Sequence, residues 1–129
     1  MSGDKKYELF YNPAGFIELH YLGALTPEAI SESCKKLFKK ADKLITDKKP
    51  ALILVDVTKI TITKNNHARM APARKEAVKL LAKSNYDRIA VYGSLPVQVA
   101  MNTIILIAGK RDKVRAFSER MDALKWLKS

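Results

Sequence analysis

At 129 residues the chain can bury roughly two thirds of its unfolded surface, so it needs no metal or disulfide staple, and one domain over residues 1–129 is expected. Its single cysteine, Cys34, excludes an internal disulfide, and no charged-then-apolar signal segment opens the chain, which makes a reducing cytoplasm the expected compartment. The 24 Lys+Arg against 13 Asp+Glu give a net charge of +11 and a pI near 9.8, an attraction to anionic surfaces that does not say which surface.

The first elements are a hairpin and a surface helix. "KYELFYNPAGFIELHYLG" holds two alternating, aromatic-rich runs around the turn residues Asn12 to Gly15. "TPEAISESCKKLFKKADKLITDKK" then offers Thr26 as an N-cap, Pro27 in the first turn and Glu28 near the positive end of a helix. Ile30, Cys34, Leu37, Phe38, Ala41, Leu44 and Ile45 follow helical spacing and leave the lysines on the solvent face. Cys34 reads as a small core residue.

Strands and helices alternate from there. "PALILVDV" is a short apolar run of branched residues, the pattern of a strand covered on both faces. A helical pattern runs from about His67 to Lys83, with Pro72 in its first turns, and "DRIAVYGS" is a second buried strand. Ser94 and Pro96 open a helix that Gly109 closes, "KVRAFS" is a last short strand, and Ser118 is the expected cap of a terminal helix in "SERMDALKWLKS". The order β-β-α-β-α-β-α-β-α predicts an α/β fold, a mixed sheet with an opening hairpin and about four covering helices. Ile89 to Gly109 carries no charge, but Gly93, Ser94, Pro96, Gln98 and Asn102 break it into strand, turn and helix, against a membrane span.

Chemical motifs are sparse. His20 and His67 have no second strong ligand at metal-like spacing, so neither a metal nor any other cofactor is expected. Asp56 at a strand end is read as organising the loop that follows it. Phosphate loops, nucleophile elbows and paired-carboxylate motifs are missing, so no enzyme activity is expected.

Two features point toward binding. Val97, Met101, Ile104, Ile105 and Ala108 form one stripe of the third helix, while Val99, Leu106 and Ile107 continue apolar character around its other side. A second copy of the domain, an apolar ligand, a bilayer interface or simply neighbouring helices could cover the excess. "KRDKVR" follows directly, with Lys110, Arg111, Lys113 and Arg115 as candidate contacts to anionic head groups.

The hairpin, the long amphipathic helix, "ILVDVTKIT" and a helix starting at Asn65 or Asn66 resemble the STAS domain. "VRAFSERMDALKWL", with Phe117 ending a strand and Ala123, Trp126 and Leu127 on a helix, is similar to the tail of its SpoIIAA-like branch. In phospho-switched relatives the resemblance implies an acceptor serine at a helix start. Here Lys64, Asn65, Asn66 and His67 fill that Asp-Ser-Ser-Gly corner, so no hydroxyl remains.

The resemblance implies a non-enzymatic binder of an apolar small molecule or lipid, and the over-apolar third helix points the same way; Thr63, Asn65, Met70, Met101, Ile104 and Ile105 are the expected ligand contacts. A homodimer and peripheral contact with the inner face of a membrane are expected as well. A phosphorylation-independent protein-interaction module of the anti-sigma-factor-antagonist type is the second reading. Nucleic acid is disfavoured, because the charge is dispersed and no helix-turn-helix or RNP pattern occurs.

Overall fold

The computed structural model describes residues 6–23, 26–60 and 71–129. Strand β1 (Tyr7–Asn12) and strand β2 (Phe16–Tyr21) form the predicted antiparallel hairpin, its turn closed by the Gly15 N–H donating to the Asn12 carbonyl. Helix α1 (Pro27–Thr46) starts where Thr26 accepts from the Ala29 N–H. Then come β3 (Leu52–Asp56), α2 (Ala71–Lys83), β4 (Arg88–Tyr92), α3 (Leu95–Ala108), β5 (Val114–Phe117) and α4 (Arg120–Leu127).

Five strands lie side by side in chain order, antiparallel only at β1–β2 and parallel thereafter. A sheet extended always toward the same edge by right-handed crossovers puts its crossover helices on one face. α1 lies over β1 and β2 and α3 over β4 and β5, whereas α4, which follows the last strand, packs on β3, β4 and β5 from the opposite face.

Alternation along the strands divides the core accordingly. Ile17, Leu19, Ile53, Val55, Ile89, Val91 and Val114 face α1, α2 and α3. On the other face Phe16, Leu54, Ala90 and Tyr92 meet Ala123 and Leu127 of α4.

Several local expectations need correction. Ile45 is exposed, and Ser33 takes a core position on α1, its hydroxyl bonded to Tyr21 Oη at 2.7 Å and donating to the Ile30 carbonyl. That carbonyl partner lets a polar residue stand where spacing asks for an apolar one. Helix α4 is capped at Glu119 rather than Ser118, and no side chain caps it. Ser94 does take the cap position of α3, and Gly109 closes that helix in the left-handed region with φ 70°, where a Cβ would be strained. Gly93 is required for a different reason: a Cβ there would stand 2.7 Å from Val57 Cγ2 and 3.2 Å from its carbonyl oxygen.

Candidate functional site

Between the sheet and its three crossover helices lies a partly open cavity of about 140 Å³ with an almost wholly apolar lining. α2 packs principally against α1 and α3 rather than directly on the strands, and its alanines Ala73 and Ala77 are too small to fill the space beneath it. Leu19, Val55 and Val91 form the floor, and Leu37 and Phe38 a side wall.

Met101 and Ile104, both expected ligand contacts, line this cavity. Ile105 is buried in the same core without lining it. Thr63, Asn65 and Met70 lie outside the described residues, as does the Lys64 to His67 corner. Cys34 sits in the wall, where burial pushes its thiol up to about 11 and leaves it unreactive as a nucleophile.

The outer side of α3 is apolar too. Leu95, Val99, Leu106 and Ile107 are exposed by 70, 59, 59 and 67%, in one stripe with Asn102 and Thr103. Of the four basic residues that follow, Lys110 and Arg111 stand at the end of this stripe, and the Lys113 ammonium lies 6.0 Å from the centre of the Tyr86 ring. Arg115 belongs to the opposite sheet face, its guanidinium 5.5 Å from the Trp126 ring, on which Arg88 also lies at 5.0 Å. The expected four-residue cluster is therefore divided by strand alternation. The Trp126–Leu127 end of α4 is occupied within the chain: Leu127 is buried and Trp126 packs on Phe117.

A second constellation, which the sequence reading missed, occupies the part of the α4 face that α4 leaves uncovered. Glu18 is 3% exposed. Its Oε1 accepts from Arg120 Nη1 at 2.8 Å and lies 2.8 Å from His20 Nε2, and its Oε2 accepts from Asn12 Nδ2 at 2.7 Å. His20 Nδ1 is 2.9 Å from Asp56 Oδ2, and the Phe10 ring stacks on the imidazole, centroids 5.7 Å apart and planes 3° apart.

Burial by itself would raise the Glu18 carboxyl, but the bonds from Arg120, Asn12 and His20 outweigh it and hold the group at about 2. Asp56 is likewise lowered against its burial, by the Thr58 hydroxyl and N–H and by His20. Asp56 organises its loop as expected, and it also holds His20. Alternation in "FIELHY" puts Glu18 and His20 on one face and carried the only signal of the cluster. The partners Asp56 and Arg120 come from strand register and from a helix 102 positions downstream.

A mixed five-stranded sheet, with an antiparallel hairpin at one edge and helices on both faces, is the architecture of a STAS domain. A family model described as SpoIIAA-like matches residues 16–128, and the chain belongs to that family. Comparison with curated proteins and with solved structures gives no match. No helix among the described residues is long and apolar enough to cross a membrane, and no group of three or more His, Cys, Asp or Glu among them could hold a metal ion.

Proposed function

We infer that this protein binds a small apolar molecule, or the apolar end of a lipid, between its sheet and its crossover helices, without chemistry on it. The observation that carries the reading is the apolar cavity of about 140 Å³. Empty apolar cavities of roughly 150 Å³ stay dry and accept benzene-sized guests, because no water can find hydrogen-bond partners in them. An aromatic ring or a short stretch of acyl chain fits that volume and that lining.

Delivery from an anionic membrane surface is part of the proposal. The exposed stripe of α3 and the cations Lys110 and Arg111 at its end favour a bilayer interface, apolar side chains meeting acyl chains while ammonium and guanidinium groups meet phosphates. Protein–protein regulation of the antagonist type is the second reading, supported by the same stripe.

The test is organic-solvent extraction of the purified protein with mass spectrometry of the extract, together with titration by an uncharged naphthylamine fluorophore. A stoichiometric apolar species, or saturable fluorophore binding abolished by Ala77→Phe with the fold retained, is the expected result. An empty extract with no saturable binding in the wild type would sink the reading.

A further inference from the structure

The ring of His20 stands between two carboxylates, Glu18 at 2.8 Å from Nε2 and Asp56 at 2.9 Å from Nδ1. Ionised carboxylates only accept hydrogen bonds, so both contacts are satisfied together only while both ring nitrogens carry a proton. A neutral ring donates from one nitrogen and turns a lone pair toward an oxygen at the other.

Burial decides which contact is given up. The Glu18 side chain is 4% exposed and would be left a desolvated anion short of a donor, whereas Asp56 is 16% exposed and can turn its oxygen to water. The His20–Asp56 bond is therefore the one released. Around the ring stand Glu8, its cross-strand partner, and the stacked Phe10 on β1; Glu18 on β2; Asp56 on β3; Tyr92 opposite Asp56 on β4; and Arg120 from α4.

Asp56 carries the effect through the sheet. Its other oxygen, Oδ1, accepts from the Thr58 N–H at 2.8 Å and from the Thr58 hydroxyl at 2.6 Å, which fixes the corner leaving β3. Within that corner Ile60 donates its N–H to the Val57 carbonyl, and the side chains of both residues wall the apolar cavity. The polar cluster and the cavity thus lie on opposite faces of the sheet and share one short segment.

We propose that the proton on His20 regulates the apolar site from the far face of the sheet, the charged ring bracing Asp56 and through it the Val57–Ile60 wall. The proposal rests on the cavity being a binding site, as inferred above. A wall held in place binds an apolar guest more tightly than one that must be ordered on binding, so affinity falls as the ring loses its proton.

A pH titration by NMR follows the His20 ring and the Thr58 and Ile60 amides, with His67→Gln assigning the ring signals, while the affinity for the uncharged naphthylamine is measured at each pH. The Thr58 amide should move with the midpoint of the His20 ring, and Kd should rise about three- to tenfold over the same range, the size of one lost hydrogen bond. Both responses should be flat in His20→Gln and unchanged in His67→Gln. If the Thr58 amide stays still while the ring titrates, or affinity ignores the ring, the brace is refuted and the cavity reading stands. Failure of the probe to bind at any pH overturns the cavity reading and the regulation with it. Should His20→Gln not fold, the wild-type coincidence of ring, amide and affinity decides alone.

Discussion

A carboxylate this deeply buried in a sheet face persists only when donors offset its lost hydration, and Glu18 has three. Glu18→Gln keeps the shape but removes the charge that Arg120 and His20 meet, and should lower the unfolding free energy by about 2–4 kcal/mol in chemical denaturation. The pH dependence has a definite sign. With its folded value near 2 against an ordinary 4.5, Glu18 contributes fully above about pH 4.5 and loses that contribution as pH falls toward 2. The stability profiles of wild type and Glu18→Gln should therefore converge on acidification. A gap of constant size down to pH 2 would refute the charge argument. Gly93→Ala belongs to the same scale: the added methyl meets the stiff β-branched Val57 and its backbone, at a cost of about 1–3 kcal/mol in thermal or chemical unfolding. These positions show what the chain revealed of itself. Thr26, Pro27, Asn12 and Gly109 act locally and were legible, whereas Glu18, His20 and Arg120 acquire their roles from strand register and from helix docking across the sheet, which no local pattern encodes.

Helix α3 presents two apolar faces with different consequences for substitution. Ile105 is buried, so Ile105→Asp places an unpaired charge in the core and should cost more than about 4 kcal/mol or prevent folding. Leu106→Ser/Ile107→Ser alters the exposed stripe and should leave stability within about 0.5 kcal/mol per site while reducing binding to anionic liposomes in flotation. Wild-type flotation on the double variant would remove the stripe from the membrane argument. The period of this helix was readable because its Pro, Gly and apolar residues act within a few positions of one another. Which face would remain in water was not, since that depends on α2 and β5 packing against the other side. The end of α4 illustrates the same limit: Trp126 and Leu127 look like spare apolar surface in the sequence and are used by Phe117 and the sheet.

For the molecule as a whole, the charge of +11 leaves two competing attractions, to lipid head groups and to nucleic acid. Burial of the stripe together with about 1 kcal/mol from each nearby cation should make liposome binding weaken with salt without vanishing. A grip on phosphates alone would collapse by several powers of ten over a modest salt range. Flotation at low and moderate salt beside a duplex and single-strand binding assay separates them, and a steep salt slope on DNA with no flotation would exclude the bilayer. Self-association is read in the same preparations. A two-fold pair gives about twice the 14.5 kDa chain mass in light scattering, and a monomer at high micromolar concentration would rule out a pair closed through α3.

Because the five strands lie in chain order, the sheet can be assembled like a wall built course by course, each strand meeting a neighbour already in place. One connection departs from that sequence of events. The counter-ion for Glu18, in the second strand, sits 102 positions downstream on the helix that follows the fifth. Glu18 therefore meets its guanidinium partner only once both ends of the chain are in place, and a single side chain ties the last helix to the opening hairpin.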